Sequence, residues 1–565
     1  MDGLSASVPV TVNGHKTTFW LDSGAWFSIM SNAKAQELGL RIDQAPRGLM
    51  MSGIGGSFRP EVTTISDFAI NGSVLHRVDF IVGGSDAGSG LIGRNLLANF
   101  DTEFDIAHGS VSIVRPEGDC KHVNFGYWSK SQLPFTVKLL RGEGNGKIND
   151  FALPVMLNGK EVEAEIDSGA ITLISRRAAE RAGIDLDGPD AIPIERLSGF
   201  GRHFEKGWSV RLKSVSIGDE TILNPRLTVI DGPIVDGPNA PDMLLGIGYL
   251  LSHHLYVSRD QHLIYFTYSG GKPFIDLSSP NQNGVSTAAA VSTIPEGKHL
   301  VKAVGADATP KNAGEFARQG AVLLARNDSK GAVAAYSHAV KLEPENGEYY
   351  HQLSLAERRT GDYKAALTDL QKAAALKPDD PDIMLDLAFA YHAHDEPAQA
   401  WSAAQKAKAL IAPQSLQVTA LADLYIELGH AADAVPLYDP VIRTHREDHN
   451  LGALYNGLCW SSGLGNVATD DALRDCKRAL KLSNDAPAVR DSLALVLYRQ
   501  GKFDDALDNY NKVLAAQPKE AWSLYMRGMT ETKLGQAAQG AKDRKDAVVL
   551  DTSVADRAKA YALEP

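Results

Sequence analysis

The sequence predicts a multidomain protein in which an all-β half is followed by an all-α half. Up to about residue 274, short alternating apolar runs are divided by Asn-Gly, Gly-Gly and Asp-Gly pairs, which are turn signals. From about residue 312 the chain is rich in Ala, Leu, Lys and Asp with helical spacing, and both halves are internally repeated. We therefore expect two β lobes, a linker and helical repeats, at 1–117, 118–274, 275–311 and 312–565 respectively.

Composition excludes some classes of function before any motif is considered. The 565 residues are 44% hydrophobic and 22% charged, with a formal net charge of −12, as in ordinary globular proteins of several domains. The sequence has no dense Lys/Arg cluster, so we expect no nucleic-acid partner. Its longest apolar runs fall short of the roughly 18 residues that a membrane span needs.

The four residues Asp-Ser-Gly-Ala occur twice, each time directly after an apolar alternating run. They occupy 22–25 in "TTFWLDSGAW" and 167–170 in "VEAEIDSGAI", and the Pro-Val and Asn-Gly pairs before them recur at the same offset of 145 residues. Glycine-rich segments typical of hairpin tips follow, "MSGIGGSF" at 51–58 and "LSGFGRHF" at 197–204. Later come "GLIGRNLL" at 90–97 and "MLLGIGYL" at 243–250. One β unit is therefore duplicated.

These motifs resemble those of the retropepsin-like aspartic proteases. An Asp-Ser-Gly-Ala loop, a glycine-rich flap and a Leu-Ile-Gly string before a short helix occur in that family in the same order. Retroviral enzymes assemble one active site from two identical chains, and pepsin-like enzymes assemble it from two lobes of one chain. The resemblance implies the second arrangement, built here from two retropepsin-sized lobes.

The resemblance also implies that Asp22 and Asp167 form the catalytic pair. Two carboxylates about 3 Å apart cannot both ionise, so such a pair shares one proton over a range of pH. One carboxylate then acts as general base on a bridging water, while its protonated partner polarises the scissile carbonyl. We predict that the reaction needs no cofactor and no metal ion.

Residues beside the two acids are expected to support them. Gly24 and Gly169 let the backbone turn tightly next to the carboxylates. Ser23 and Ser168 are expected, from the resemblance, to form hydrogen bonds across the lobe junction. We therefore expect both loops to be held rigidly against each other.

Ala25 and Ala170 stand where pepsin-like lobes commonly have a hydroxyl residue. Without that hydroxyl the charged form of the dyad is stabilised less, and we predict a pH optimum of about 5 to 7. A second departure concerns Trp26, which replaces the acid that pairs with the arginine of Gly-Arg-Asn in retroviral enzymes. Arg94 therefore lacks that partner, and lobe 2 has Ile247 at the position that matches Arg94. We expect the interface between the lobes to be held by contacts other than those of retroviral enzymes.

The two glycine-rich segments are predicted to be flaps over the active site, because glycine supplies mobility at a hairpin tip. The alternative is that they are ordinary hairpin turns. The predicted flap residues are Gly53, Ile54, Gly55 and Gly56 in lobe 1 and Gly199, Phe200 and Gly201 in lobe 2.

The helical half has a period of 34 residues, carried by small residues that precede an apolar one. The register shifts once, by four residues, before the fifth repeat. The string "RQGKFDDALDNYNKVLAAQPKE" at 499–520 resembles the second half of a tetratricopeptide repeat, and about seven repeats are present. Such repeats stack into a superhelix with a concave groove, so the resemblance implies a protein or peptide partner there. A purely structural spacer or a surface for self-association remains the alternative.

Cys459 and Cys476 fall on facing helices of the fifth repeat, where either a disulfide or two packed thiols would fit, while Cys120 has no evident partner. His253 and His254 lack an acid or cysteine at metal-ligand spacing.

The first residues of the sequence contain neither the basic n-region nor the apolar h-region of a signal peptide. A mature chain, from which a signal peptide has been removed, would look the same. We expect a periplasmic or secreted protein, and a cytoplasmic location stays open.

The combined prediction is an aspartic endopeptidase with an intramolecular dyad, a polypeptide substrate bound in extended form, and a helical-repeat arm that recruits substrate or partner. One alternative is an inactive protein that uses the same lobes to bind peptide and the repeats as a scaffold. Another is that each lobe pairs with a lobe of a second chain.

Overall fold

The computed structural model describes most of the chain, in two compact units, Met1–Leu376 and Lys377–Pro565. The described residues are 6–46, 49–54, 56–84, 90–98, 100–129, 133–140, 151–197, 205–235, 240–275, 298–299, 310–446, 448, 450–467 and 469–563. Most of the predicted linker at 275–311 lies outside these ranges, as do Gly55 and the tip of the second predicted flap, Gly199, Phe200 and Gly201.

Lobe 1 is built from short strands that fold into a seven-stranded sheet, in which the first strand also pairs with the seventh. Its strands are β1 (Ser7–Val12), β2 (His15–Leu21), β3 (Ile29–Met30), β4 (Asp43–Gln44), β5 (Met51–Gly53), β6 (Gly56–Phe58), β7 (Glu61–Ile70), β8 (Ser73–Val82), β9 (Gly90–Ile92), β10 (Asp101–Asp105) and β11 (Ser110–Val114); its helices are α1 (Asn32–Glu37) and α2 (Arg94–Leu97). The sheet order is β1-β2-β9-β3-β8-β7-β4, while β5 and β6 form a separate hairpin.

Lobe 2 repeats this order of elements. Its strands are β12 (Phe135–Lys138), β13 (Ala152–Leu157), β14 (Lys160–Ile166), β15 (Leu173–Ser175), β16 (Ile192–Leu197), β17 (Glu205–Arg211), β18 (Ser214–Ile217), β19 (Glu220–Leu223), β20 (Arg226–Ile230), β21 (Met243–Leu245), β22 (His253–Ser258), β23 (Leu263–Tyr268) and β24 (Lys298–His299); its helices are α3 (Arg176–Arg181) and α4 (Ile247–Ser252). All except β12, β22 and β23 belong to one ten-stranded sheet.

The duplication extends to the turns. In each lobe the first hairpin turns on an Asn-Gly pair with positive φ at both residues, 47° and 88° at Asn13 and Gly14, and 51° and 81° at Asn158 and Gly159. This is the backbone of a type I′ turn, which matches the twist of a two-residue hairpin. The Asn-Gly signals of the sequence therefore fix the first hairpin of both lobes.

The two lobes are joined by a shared sheet and a shared core. A five-stranded sheet of order β11-β10-β22-β23-β12 contains strands from both, with β10 antiparallel to β22. One continuous apolar cluster includes Phe19 and Phe104 of lobe 1 and Val155 and Phe266 of lobe 2, all almost fully buried. The β half is thus one body with a seam between its lobes.

The all-α half consists of seven helical hairpins and one further helix among the described residues. These are α5 (Ala313–Ala325), α6 (Ser329–Leu342), α7 (Gly347–Thr360), α8 (Tyr363–Leu376), α9 (Pro381–Ala393), α10 (Pro397–Leu410), α11 (Gln417–Glu427), α12 (Ala431–Ala434), α13 (Tyr438–Thr444), α14 (Leu451–Leu464), α15 (Asp470–Leu482), α16 (Pro487–Arg499), α17 (Phe503–Ala516), α18 (Ala521–Lys533), α19 (Ala537–Leu550) and α20 (Val554–Ala560). None of these helices combines the length and the apolar character that crossing a membrane requires.

The 34-residue spacing corresponds to the contact between paired helices. The small residues that carry it are buried, because only a small side chain lets two helices approach closely. They are Ala332, Ala366, Ala400, Ala434, Ala472, Ala506 and Gly540. The second helix of the fourth hairpin is interrupted by a 3-10 turn at Val435–Leu437, since Pro436 and Pro440 each remove a backbone donor.

Candidate active site

Asp22 and Asp167 occupy equivalent places in the two lobes. β2 and β14 each end one residue before the acid, and each pairs in parallel with a later strand of its own lobe, β9 or β21. The amide of Asp22 donates to the carbonyl of Ile92 at 3.0 Å, and that of Asp167 to the carbonyl of Leu245 at 3.1 Å. These bonds fix the point at which each acidic loop leaves its sheet.

The two loops face each other with the carboxyl groups between them. A Cβ added at Gly24 would overlap the carboxyl of Asp167, and one added at Gly169 would lie 2.5 Å from Cγ of Asp22. The carboxyl group of each acid therefore lies against the glycine of the opposite loop. Only glycine allows so close an approach, so each loop needs its glycine because of the acid on the other loop.

Ser23 and Ser168 bind the loops together with a symmetric set of hydrogen bonds. The amide of each serine donates to the hydroxyl oxygen of the other at 3.1 Å. Each hydroxyl in turn donates at 2.8 Å to a carbonyl across the seam, that of Ile166 or Leu21. Both serines are fully buried. These four bonds hold the acids in register across the lobe junction.

The two carboxyl groups accept different numbers of hydrogen bonds from backbone amides. Oδ1 of Asp22 accepts from the amides of Gly24 and Ala25 at 3.0 and 2.9 Å, whereas Oδ1 of Asp167 accepts from the amide of Gly169 at 2.8 Å. Burial raises the pKa of Asp22, and burial together with the charge of Asp22 raises the pKa of Asp167 well above its ordinary value. Since donors stabilise the ionised form, the proton of the pair is favoured on Asp167 and the charge on Asp22.

Arg94 lies behind this pair and joins the lobes. Its guanidinium contacts both carboxylate oxygens of Glu165, at 2.9 and 2.8 Å, and donates from Nε to the carbonyl of Ser23 at 2.6 Å. Trp26 covers it, with its ring centre 5.1 Å from the guanidinium carbon. The sequence indicated no partner for Arg94. In the structure this partner is Glu165, an acid of the other lobe that lies two residues before Asp167.

The first predicted flap is a hairpin whose tip reaches the other lobe. β5 and β6 pair so that Gly53 lies opposite Gly56. Ile54, at the turn, packs against an apolar cluster of lobe 2 that contains Leu173 and Leu244. The hairpin therefore crosses the seam on which the acids lie.

An apolar cluster adjoins each acidic loop. Ala25 packs against Ile29, Ile81 and Leu91 in lobe 1, and Ala170 packs against the lobe 2 cluster that receives Ile54. A methyl group therefore stands beside each acid, where a hydroxyl would offer a further donor.

The three cysteines differ in their surroundings. Cys459 of α14 and Cys476 of α15 are joined in a disulfide with Cα atoms 5.0 Å apart, and both are fully buried. Cys120 is a partly exposed free thiol. The disulfide lies within one helical hairpin of the second unit.

Comparison with known families agrees with this description. The family model of gag-polyprotein aspartyl proteases matches residues 8–99, and an aspartyl protease model matches 153–249. Tetratricopeptide repeat models match 355–395, 464–521 and 492–543. No curated protein matches the chain.

Solved structures similar to this chain include repeat proteins. A tetratricopeptide repeat protein from Parabacteroides merdae is 17% identical, with a TM-score of 0.34, over 44% of this chain and 98% of its own. The Cut9–Hcn1 hetero-tetramer of APC/C is 15% identical, with a TM-score of 0.32, over 44% of this chain and 49% of the matched one.

The β half therefore has the fold of an aspartic protease with two lobes in one chain. The chain as a whole carries two retropepsin-like aspartic protease domains followed by a tetratricopeptide repeat domain.

Proposed function

We propose that the β half is an aspartic endopeptidase in which Asp22 and Asp167 activate one water molecule. The observation that supports this most strongly is that two carboxyl groups, at the ends of two equivalent strands, each lie against the glycine of the opposite acidic loop. Their surroundings favour one proton on Asp167 and one charge on Asp22, which is the state that hydrolysis by such a dyad requires.

In this mechanism the water oxygen attacks the scissile carbonyl carbon while Asp22 takes a proton from the water. Asp167 gives its proton to the carbonyl oxygen, which produces a neutral gem-diol. Asp22 then protonates the amide nitrogen as Asp167 takes a proton from one hydroxyl, and the C–N bond breaks. The products are a carboxylic acid and an amine, and the dyad returns to its first state.

The proposed substrate is an extended polypeptide with apolar side chains on both sides of the cleaved bond. The apolar clusters beside Ala25 and Ala170 flank the dyad from the two lobes. The hairpin that carries Ile54 would cover the bound chain and exclude water, as lids over active sites do.

Tetratricopeptide repeats indicate protein–protein interaction, and we assign to the arm the recruitment of substrate or a partner. In the second unit a cavity of about 860 Å³ has a lining that includes the aromatic residues Trp460, Trp522 and Tyr561, the acids Asp423, Asp491 and Glu520, and one base, Arg557. Its aromatic and acidic lining suits a peptide with basic and apolar side chains. For the location we propose the periplasm or the exterior, an assignment that the Cys459–Cys476 disulfide supports.

Hydrolysis of denatured casein and of a peptide library at several pH values tests the enzymatic proposal. We expect cleavage by the wild type, loss of cleavage in both Asp22→Asn and Asp167→Asn, and inhibition by a statine-type peptide. Asp43→Asn and Asp187→Asn, at exposed positions of lobes 1 and 2, are the matched controls and should cleave normally.

Three outcomes would contradict the proposal. Full activity in either dyad variant would exclude one shared pair. Absence of cleavage at every pH by a folded wild type would favour the inactive peptide-binding protein. Recovery of activity on mixing the two dyad variants would instead favour pairing of lobes between chains.

A further inference from the structure

Three potential metal ligands converge at one end of β10 and β22, which are neighbouring inner strands of the sheet that joins the lobes. The sequence did not predict this site. They are Asp105 at the end of β10, His108 in the 3-10 turn Ile106–His108, and His254 at the start of β22. One ligand atom from each lies within 4.8 Å of the other two.

The fold brings these residues together from distant parts of the sequence. β10 and β22 run antiparallel with Phe104 opposite Leu255, so the next position of the ladder places Asp105 opposite His254. The 3-10 turn then brings His108 over Asp105, because side chains three residues apart eclipse in that geometry. Oδ1 of Asp105 is 2.6 Å from Nδ1 of His108 and 3.5 Å from Nδ1 of His254.

The ring of His254 is held in the orientation that a metal ligand requires. Its Nε2 is 2.8 Å from Oε1 of Glu103, a carboxylate that also accepts from the hydroxyl of Tyr127 at 2.6 Å. Trp128 stacks on the ring with centroids 3.8 Å apart, and the indole donates to Thr267 at 2.8 Å. A histidine ligand usually has its second nitrogen bound to a carboxylate in this way, which leaves Nδ1 of His254 for the metal.

We propose that Asp105, His108 and His254 bind a divalent transition-metal ion, with Zn²⁺ as the reference ion. Two imidazole nitrogens and one carboxylate suit such an ion. Bond lengths of about 2.0 to 2.2 Å place tetrahedral ligand atoms about 3.4 Å apart, close to the 3.5 Å between Asp105 and His254. The 2.6 Å hydrogen-bond contact between Asp105 and His108 would lengthen by about 0.8 Å when a metal ion replaces the shared proton. Side-chain exposures of 19%, 33% and 10% for Asp105, His108 and His254 leave room for water as a fourth ligand.

A metal ion at this site would strengthen the attachment of the first repeat to the β half, because helix α5 packs against the turn that contains His108. A Cβ added at Gly109, which follows His108, would lie 2.7 Å from Cβ of Arg318 on α5. A metal ion that fixes the turn would therefore also fix the surface against which α5 packs. This inference does not depend on the proposed protease activity.

Calorimetric titration of the EDTA-treated full chain with ZnCl₂ tests the site, in a Cys120→Ser background that removes the free thiol. We expect one Zn²⁺ per chain and a higher melting temperature with Zn²⁺ but not with Mg²⁺. His108→Gln and Asp105→Asn, both on the partly exposed turn, should each weaken binding at least tenfold. His76→Gln is the matched control, since His76 forms an exposed pair with Asp67.

Circular dichroism of each variant establishes that it is folded before titration. Binding that is as tight in folded His108→Gln as in the parent chain would overturn the proposal. Failure of the parent chain to bind Zn²⁺ would do the same.

Discussion

At the scale of single residues, the sequence predicted both acids and their neighbours but not the difference between them. The duplication of Asp-Ser-Gly-Ala did not indicate which acid holds the proton, whereas among the described residues Asp22 accepts from two backbone amides and Asp167 from one. Such an asymmetry depends on distances of a few tenths of an ångström, which four identical letters do not encode.

The partner of Arg94 could not be predicted from the sequence either. Glu161, Glu163 and Glu165 alternate along β14, and nothing in that string distinguishes one from the others. Only the docking of the lobes places Glu165 against Arg94. The sequence did indicate that the usual partner was missing, since Trp26 stands in its position.

Asp167→Asn should stabilise the protein above acidic pH. Burial and the charge of Asp22 raise the pKa of Asp167 in the folded state, while the unfolded chain releases this proton near the ordinary pKa of about 3.9. The wild type therefore loses free energy of unfolding as the pH rises from about 4 through the raised pKa. Asparagine has no such proton to lose.

Melting temperatures measured from pH 4 to pH 8 check this expectation. The advantage of Asp167→Asn over the wild type should grow with pH, and exposed Asp187→Asn should show no such trend. An advantage that stays constant or shrinks as the pH rises would contradict the assignment of the proton.

Removing one partner of the Arg94–Glu165 pair should destabilise the β half strongly. Side-chain exposures of 5% and 7% leave the remaining charge buried and unpaired, at a cost of about 3 to 5 kcal/mol. Arg94→Met/Glu165→Met should therefore cost less than the sum of the two single variants in chemical denaturation. Arg41 and Asp43 form an exposed pair, and their coupling energy in the same double-mutant cycle should be less than about 1 kcal/mol. Equal coupling energies in the two pairs would show that the Arg94–Glu165 pair does not stabilise the β half more than an exposed pair does.

At the scale of elements, the sequence predicted the helical period and the hairpin of β5 and β6, whose role as a flap stays a prediction. The period was visible because close helix packing demands a small residue once in each repeat. The break in the second helix of the fourth hairpin was not predicted, although Pro436 and Pro440 carry the signal for it. The four-residue shift that follows coincides with the connection between α13 and α14.

Ile54→Ser should weaken substrate binding while leaving the fold intact. Ile54 is partly buried against the lobe 2 cluster, so a polar side chain there removes an apolar contact that holds the hairpin across the seam. We expect kcat/KM to fall about tenfold with an unchanged melting temperature. Val74→Ser, at an exposed position on β8, is the control, and an unchanged kcat/KM in Ile54→Ser would exclude a flap.

Loss of the disulfide should destabilise the repeat unit. Cys459 and Cys476 are separated by 17 residues, and closing a loop of this length is worth about 3 kcal/mol. Urea unfolding of Cys459→Ser/Cys476→Ser should show a decrease of that order, which dithiothreitol should reproduce in the wild type. Cys120→Ser is the control, and insensitivity of the wild type to reductant would contradict the expectation.

At the scale of the whole molecule, the predicted change from β to α structure at residue 312 does not coincide with the division into compact units. The first unit extends to Leu376 and so includes helices α5 to α8. Val322 of α5 belongs to the apolar core shared by the lobes, and the guanidinium of Arg326 donates to the carbonyl of Leu251. A helical period predicts helices but not the neighbours on which the first of them packs.

Val322→Ala should therefore destabilise the β half as well as the first repeat. Removing two buried methyl groups costs roughly 1 to 2 kcal/mol. Hydrogen exchange should become faster in α5 and in the β core strands together. Val549→Ala, at an exposed position on α19, should change neither, and faster exchange confined to α5 would show that the first repeat is not part of the β core.

The central claim is that Asp22 and Asp167 form a single site within one chain. Calorimetric titration with a statine-type peptide, whose hydroxyl group takes the place of the attacking water, tests this most directly. We predict one inhibitor bound per monomeric chain, with binding lost in Asp22→Asn and in Asp167→Asn and kept in Asp187→Asn. One inhibitor for every two chains, or undiminished binding to either dyad variant, would contradict the account.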